Sequence, residues 1–328
     1  MRDAFVRALT EIARSDRNVM LLTADLGFGV LTHFAREFPN QYLNVGVAEQ
    51  NMTCIATGLA LEGRIVFTYS IGNFPTLRCL EQVRNDVCYH NANVKIVSIG
   101  GGFCYGPLGI SHHATEDLAI MRALPNIKVV APGDLTETGL ATRAAYDTVG
   151  PCYLRLGRGG EPKVHDAPPD FNIGKAITLF PGGDVALIST GGILQNAVKA
   201  REILENSGVR ASVHSMHSLQ PLDEEFIRRI SKSARLVVTV EEHSVTGGLG
   251  GAVAEVLAEL PPPRPKLVRI GLRAGFSCEV GDQEYLREIY GLSPEKIAGK
   301  VREEGEEIGV RRQEAGGRRQ DVGSRGKN

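Results

Sequence analysis

One glutamate, Glu49, stands where a loop meets a helix, in the segment NVGVAEQNM. Small and apolar neighbours predict that its carboxyl group is half-buried at the start of a helix over residues 51–61. Such an acid could interact with the positive end of the helix dipole. It could instead share a proton with a ring nitrogen of a bound cofactor, because burial favours the protonated carboxyl. The segment alone leaves both interpretations open.

Aromatic residues cluster at the end of the next predicted strand, in the segment FTYSIGNFP. The chain is only 6% aromatic and lacks tryptophan, so a local group of rings is notable. Rings at a strand end can hold a flat ligand by stacking, although aromatic residues more often pack in a core. Tyr69 and Phe74 are the candidates for stacking.

A glycine-rich loop, GGGFCYGPLGISHHATED, follows an apolar strand predicted over residues 94–99. Ligands of open α/β sheets bind beyond the carboxyl ends of the strands, where this loop lies. Two adjacent histidines, His112 and His113, have little structural use there. A functional role is therefore favoured over one in which His112 only satisfies a loop carbonyl group.

The framework that positions these segments is predicted from apolar patterning. Short apolar runs alternate with helical periodicity, with strands predicted at 19–24, 64–68, 94–99, 127–130, 152–156, 184–189, 210–214, 235–241 and 266–270. Alternation at this spacing implies mostly parallel sheets covered by helices on both faces. The predicted fold class is α/β, with two doubly wound three-layer domains.

The domain boundaries follow from lapses in this pattern. Residues 157–174 are rich in Gly, Pro and charge, and the chain after residue 303 is charged and Gly-rich with few apolar residues. We therefore expect a first domain at 1–165, a linker at 166–180, a second domain at 181–303 and a disordered tail at 304–328.

Composition excludes several classes of protein. The 328 residues carry 37 Lys and Arg against 38 Asp and Glu, so net charge provides no attraction to nucleic acid or an anionic membrane. There is no apolar run long enough to span a membrane and no signal-peptide core, which predicts a cytoplasmic protein. The six cysteines have no metal-like spacing, so we expect reduced thiols and no metal site on this chain.

Taken together, the segments resemble the pyrimidine-binding half of thiamine diphosphate enzymes, specifically transketolase. The resemblance extends to deoxyxylulose-phosphate synthase and to the beta subunits of 2-oxoacid dehydrogenases. It is carried by GVAEQNM, SHHATEDLA and KVVAPGDLTET within residues 1–165, and by VEEHSVTGGLGG within residues 180–300, which resembles the C-terminal domain of the family. Several motifs in family order are more specific than any one of them.

The resemblance implies roles for particular residues. Glu49 would contact the aminopyrimidine ring, with Tyr69 and Phe74 packed on it and Asp25 nearby. His112 would face the reacting centre, where it could donate to a developing oxyanion or move a proton, and His113 is its neighbour. Arg158 matches an arginine that clamps the substrate phosphate, and a planar guanidinium suits phosphate oxygens.

Two residues depart from the family pattern, and a second arginine near Arg158 is not expected to contact the substrate. Leu108 and Gly100 stand where transketolases carry an acid and a histidine, which puts the usual contacts to sugar hydroxyls in doubt. Arg155, three residues before Arg158, would lie on the opposite face of an extended segment, and we expect it at the solvated surface.

The magnesium- and diphosphate-binding GDG motif of the family does not occur in this sequence. The resemblance then implies one subunit of a split transketolase, which would share thiamine diphosphate with a separate N-terminal, diphosphate-binding subunit that holds Mg²⁺. We expect an alpha2beta2 assembly with self-association through the pyrimidine-binding and C-terminal domains.

The expected activity is transfer of a two-carbon ketol unit from a ketose phosphate to an aldose acceptor. The alternatives are decarboxylating acyl transfer from a 2-oxoacid, as in deoxyxylulose-phosphate synthase, or a role as a 2-oxoacid dehydrogenase beta subunit. A catalytically silent scaffold is disfavoured because neither Glu49 nor His112 is needed for a core. The donor and acceptor sugars are not predicted.

Overall fold

The computed structural model describes residues 1–273 and 275–310, which form two β-sheets covered by helices. In chain order the strands are β1 (Val19–Thr23), β2 (Tyr42–Asn44), β3 (Ile65–Ile71), β4 (Val94–Ile99), β5 (Lys128–Val130), β6 (Cys152–Leu156), β7 (Ile177–Phe180), β8 (Val185–Thr190), β9 (Ala211–Ser215), β10 (Ser218–Gln220), β11 (Leu236–Ser244) and β12 (Lys266–Leu272). The helices are α1 (Arg2–Ser15), α2 (Thr32–Glu37), α3 (Glu49–Leu61), α4 (Leu80–Gln82), α5 (Asp117–Arg122), α6 (Leu135–Asp147), α7 (Leu194–Asn206), α8 (Glu224–Ile230), α9 (Leu249–Ala258), α10 (Gln283–Ile289) and α11 (Pro294–Glu307).

The first sheet has the strand order β10-β5-β6-β4-β3-β1-β2, and its strands are parallel except for β10. Residues of α1 and α6 share one core with the sheet, and residues of α3 belong to another. Both faces are therefore covered, and every residue of the central strand β4 is buried. The loop after β4 leaves the sheet at its carboxyl end, where the histidines lie.

The second sheet has the order β12-β11-β8-β9-β7, and β7 is the one antiparallel strand among those described. Helices α7 and α11 pack in one core, and α8 and α9 contribute to another. Strand β11 is the longest of the twelve described strands, and its carboxyl end reaches the first domain.

The two sheets are joined by chain and by packing. Strand β10, which follows β9 of the second sheet, pairs antiparallel with β5 at the edge of the first sheet. One apolar core runs from Met52 and Leu118 of the first domain to Leu249 and Val253 of the second. The predicted α/β class with two helix-covered sheets is confirmed, with one antiparallel strand in each sheet.

The structure differs from the predicted boundaries at two places. Strand β7 occupies the last residues of the predicted linker, because a four-residue strand leaves too short an alternation to detect. Helix α11 continues past residue 303, since its buried stripe of Ile297, Val301 and Gly305 is diluted in sequence by charged residues. Residues 311–328 of the predicted tail lie outside the described residues.

The described residues contain no helix long and apolar enough to cross a membrane. They also contain no group of three or more His, Cys, Asp or Glu side chains placed to hold a metal ion. None of the six cysteines forms a disulfide bond.

Candidate active site

Glu49 is the first residue of helix α3, and its side chain is only 4% exposed. The Arg78 guanidinium donates from Nη1 to Glu49 Oε2 at 2.8 Å. Glu49 Oε1 has no hydrogen-bond partner among residues 1–273 and 275–310. Glu49 thus lies at the positive end of the helix dipole and pairs with Arg78, and one of its carboxyl oxygens remains available to a ligand.

Phe74 connects this carboxylate to the histidines. The Arg78 guanidinium carbon lies 4.4 Å from the centroid of the Phe74 ring, a cation–π distance. The Phe74 ring also meets the edge of the His112 ring, with ring centroids 5.2 Å apart. The structure thus brings three predicted residues, Glu49, Phe74 and His112, into one continuous cluster, joined by Arg78.

Arg78 was missed by the sequence analysis. It lies 29 positions after Glu49, in the short helical turn Leu77–Cys79, and no local motif links the two. Only the fold, which places α3 beside that turn, reveals the pairing. Residues 77–88 do not form one regular helix but a 3₁₀ turn, helix α4 and the π-helical segment Val83–Cys88.

His112 lies in the loop of residues 100–116, which we call the histidine loop. Its ring is partly buried, and Nδ1 lies 2.9 Å from Ser111 Oγ. Nε2 has no hydrogen-bond partner within the described part of the chain. Burial and the neighbouring His113 lower the pKa of His112, so its ring is neutral at pH 7 and can donate or accept a hydrogen bond.

His113 faces the other way. It is 1% exposed, its Nε2 lies 3.2 Å from the Gly106 carbonyl oxygen, and its ring packs edge-on against Phe103 at 5.1 Å. Its Nδ1 is buried without a partner among the described residues. The two adjacent histidines therefore lie in different environments, with His113 inside the loop and His112 at its accessible face.

Tyr69 is not part of this cluster. It is 3% exposed and stacks on Phe5 of helix α1, with ring centroids 6.2 Å apart. Burial raises the pKa of its phenol. Tyr69 thus belongs to the core on the α1 side of the sheet, whereas Phe74 lies beyond the end of β3.

Asp25 follows strand β1 and is held by Asn44 through two hydrogen bonds of 2.9 Å. It lines a surface groove of about 290 Å³ together with Phe28, Arg36 and Tyr42. It makes no hydrogen bond to the cluster of Glu49, Phe74 and His112 among residues 1–273 and 275–310.

Arg158 follows strand β6 and is exposed. Its guanidinium carbon lies 5.8 Å from the ring centroid of Tyr105, a residue of the histidine loop. It also lines a cavity of about 370 Å³ between the domains, whose wall includes Gln195 and Arg287. Arg158 has no ion-pair partner among the described residues, so its guanidinium is open to an anionic group.

The expectation for Arg155 was wrong. Its side chain is only 5% exposed, and Nε pairs with Asp117 Oδ2 at 2.9 Å. Asp117 also accepts a 2.6 Å hydrogen bond from the Tyr153 hydroxyl. The other guanidinium contacts go to the carbonyl oxygens of Ala114 and Glu242, at 2.7 and 3.0 Å. Arg155 is buried because β6 is an interior strand whose two faces are both covered.

Strand β11 of the second domain holds the histidine loop at both ends. The Glu242 carboxylate accepts a 2.6 Å hydrogen bond from the Phe103 N–H, and the Ser244 N–H donates to the Thr115 carbonyl at 2.8 Å. Glu242 in turn pairs with Arg287 at 2.6 Å. We use the term loop clamp for four side chains, those of Glu242, Arg287, Arg155 and Asp117.

Glu241, the residue before Glu242 on that strand, caps the start of helix α9. Burial raises the pKa of Glu241 to about 7, although its carboxyl group accepts 2.7 Å hydrogen bonds from the N–H groups of Leu249 and Gly250 at the start of α9. The VEEHSVTGGLGG motif therefore joins the second domain internally through Glu241 and to the histidine loop through Glu242.

Comparison with known families agrees with this architecture. Residues 1–162 match the family model for the transketolase pyrimidine-binding domain, and residues 174–297 match the transketolase C-terminal domain. The chain belongs to the transketolase family. Its expected resemblance is thereby confirmed, and with it membership of a family of transferases that use thiamine diphosphate.

Two proteins similar in length to this chain are described as parts of transketolases. A relative from Phocaeicola vulgatus, named as one subunit of an apulose-4-phosphate transketolase, is 39% identical over 90% of this chain and 94% of its own length. A solved structure described as a split-gene transketolase, inactive beta4 tetramer, is 38% identical, with a TM-score of 0.82 and coverage of 92% of this chain and 96% of that chain. This transketolase chain therefore corresponds to nearly the whole length of such relatives.

The synthase alternative is more distant. The 1-deoxy-D-xylulose-5-phosphate synthase of Caldanaerobacter subterraneus subsp. tengcongensis is 33% identical over 93% of this chain, but the match covers only 49% of that protein. The transketolase subunit is thus favoured over the decarboxylating synthase.

Proposed function

We propose that this chain is the pyrimidine-binding subunit of a split transketolase, which transfers a two-carbon ketol unit from a ketose phosphate to an aldose acceptor. The observation that carries the proposal is the continuous cluster of Glu49, Arg78, Phe74 and His112. Its two chemically active groups, Glu49 Oε1 and His112 Nε2, both lack protein partners among the described residues. Unpartnered polar atoms beside an aromatic ring suit a polar heterocycle and its substrate.

The donor set fits the aminopyrimidine of thiamine diphosphate. This cofactor, when bound, supplies the electron sink that lets the carbon–carbon bond beside a ketone break. Glu49 Oε1 would hydrogen-bond to a ring nitrogen of the pyrimidine and keep a proton on that nitrogen. Arg78 would hold the other carboxyl oxygen, Oε2, in place. Phe74 would pack on the ring, and Asp25 would lie nearby. The buried Tyr69 supports this region from the core.

His112 and Arg158 would bind the two ends of the substrate. His112 Nε2 would donate to the oxygen of the reacting carbonyl or move its proton, a role open to a neutral imidazole. Arg158 would bind the phosphate, for which its free guanidinium is suited. His113 would keep the loop in place for this substrate site.

A separate diphosphate-binding subunit would complete the site and hold Mg²⁺. The described residues offer no acidic cluster for a metal ion, and the sequence has no GDG motif. The relative from Phocaeicola vulgatus carries the name of a subunit, and the split-gene structure is a tetramer of one chain type. We expect two copies of each subunit, with self-association through both domains of this chain.

The proposed function is tested by reconstitution with the GDG-containing subunit, thiamine diphosphate and Mg²⁺. We expect ketol transfer from a panel of ketose phosphates, and a loss of about 100-fold or more in kcat for Glu49→Gln, since a proton-holding acid contributes at least that much. Glu62→Gln, an exposed change at the other end of α3, is the matched control. Normal turnover by Glu49→Gln would contradict the assignment of Glu49.

Pyruvate separates transfer from decarboxylation. The same complex incubated with pyruvate should release no carbon dioxide, because pyruvate has a methyl group where a ketol donor has a hydroxymethyl group. Release of carbon dioxide from pyruvate at the rate of ketol transfer would favour the synthase-like reaction instead.

A further inference from the structure

Tyr105 lies in the first half of the histidine loop, and Gly100 makes room for its ring. A Cβ atom added at Gly100 would lie 2.3 Å from the Cδ2 and Cε2 atoms of Tyr105. Gly100 also has a φ of +91°, which side chains rarely adopt. The chain therefore combines a glycine after β4 with an aromatic ring packed directly over it.

The Tyr105 ring lies between two proposed substrate contacts. Its centroid is 6.2 Å from that of His112, in an edge-on arrangement. On another side, the Arg158 guanidinium carbon is 5.8 Å from the ring centroid. A molecule that reaches from His112 to Arg158 must therefore pass Tyr105.

The Tyr105 hydroxyl is available to such a molecule. The side chain is half-buried, and its hydroxyl makes no hydrogen bond to any of residues 1–273 and 275–310. Burial raises the pKa of Tyr105, so the phenol stays neutral and can both donate and accept a hydrogen bond. Leu108, which follows in the loop, is 56% exposed and brings no polar group.

We propose that Tyr105 is a specificity-determining residue, whose hydroxyl binds a hydroxyl group of the sugar between the carbonyl end at His112 and the phosphate end at Arg158. This inference rests on the proposed function and deepens it. The favoured substrates are ketose phosphates with a free hydroxyl in the middle of the chain. A site that hydrogen-bonds a substrate hydroxyl discriminates against analogues that lack it.

The test compares Tyr105→Phe with the wild-type chain in the reconstituted complex. Two donors are used: a ketose phosphate, and hydroxypyruvate, which supplies the same two-carbon unit with loss of carbon dioxide but has neither the hydroxylated chain nor the phosphate. We expect kcat/KM to fall about tenfold for the ketose phosphate, the value of one good hydrogen bond, and to stay within about twofold for hydroxypyruvate. Tyr89→Phe, which alters an exposed tyrosine, is the matched control.

Calorimetry with a pentitol phosphate, which has the hydroxyl chain but no carbonyl group to react, gives a second readout. Tyr105→Phe should weaken its binding by the same factor of about ten. An equal loss with both donors, or no loss with either, would overturn the role of Tyr105. A wild-type complex that binds the pentitol phosphate but turns over neither donor would contradict the proposed function. The ratio of the Kd values of the Tyr105→Phe and wild-type complexes for the pentitol phosphate would still decide the role of Tyr105. Absence of binding by the wild-type complex overturns both.

Discussion

The two sides of the histidine loop are built differently. On its inner side, the charged groups of the loop clamp pair with one another, Arg155 with Asp117 at 2.9 Å and Arg287 with Glu242 at 2.6 Å. On its outer side, His112 Nε2 and the Tyr105 hydroxyl have no protein partner within the described residues. Buried hydrogen bonds hold a loop in one conformation, and open polar atoms leave it ready for a ligand.

Residues that are close in sequence also lie on different sides of the histidine loop. Arg155 and Arg158 lie three positions apart, yet one is buried in the loop clamp and the other is exposed beside Tyr105. His112 and His113 are adjacent but face opposite sides. Paired substitutions at these positions should therefore affect stability on one side and catalysis on the other.

The largest effect on stability is expected from Arg155→Met. It leaves the Asp117 carboxylate buried without its cation, which costs about 3–5 kcal/mol in free energy of unfolding. Arg158→Met should change stability by less than about 0.5 kcal/mol, because its side chain is exposed, while it raises KM for a phosphorylated donor. Urea unfolding and steady-state kinetics measure the two effects. Equal stability losses for both arginine variants would remove the contrast.

The histidine pair tests the same contrast in catalysis. His112→Gln should lower kcat about 100-fold and leave the unfolding free energy nearly unchanged. His113→Gln should cost about 1–3 kcal/mol of stability, since it disturbs a buried ring and its hydrogen bond to Gly106. If His113→Gln instead lowered kcat as strongly as His112→Gln without loss of stability, the division between the two sides would be wrong.

The pH dependence of the reaction sharpens the assignment of His112. Its lowered pKa means that the neutral ring persists to pH values below its usual 6.5. If the neutral form acts, kcat/KM should be level above about pH 6.5 and fall only at more acidic pH. His112→Gln should abolish that acidic fall. A wild-type profile that rises as the pH drops through this range would show that the protonated ring is the active form.

Sequence patterning predicted the framework well where elements are long and apolar. Strand β4 was predicted with its observed bounds because a fully buried parallel strand is a continuous apolar run. Glu49 and His112 could be singled out because each belongs to a segment at the end of a predicted element. Pairings such as Arg78 with Glu49 could not be predicted, since they join positions far apart in sequence. The burial of Arg155 was missed because an arginine in a strand is expected at the solvated surface. The sequence alone does not show that helices cover both faces of β6.

The smallest effect that we predict is on cofactor binding, and it concerns the two aromatic candidates Phe74 and Tyr69. Phe74 contacts Arg78 and His112, whereas Tyr69 stacks on Phe5 in the core, so we expect Phe74 rather than Tyr69 to pack on the cofactor ring. Phe74→Leu should raise the Kd of thiamine diphosphate for the reconstituted complex about fivefold, the value of about 1 kcal/mol of lost ring packing. Tyr69→Phe should leave that Kd within about twofold, because it keeps the buried ring and removes only a hydroxyl. Calorimetric titration of the two variants measures both values, and a weakening by Tyr69→Phe that matches Phe74→Leu would place Tyr69 at the cofactor after all.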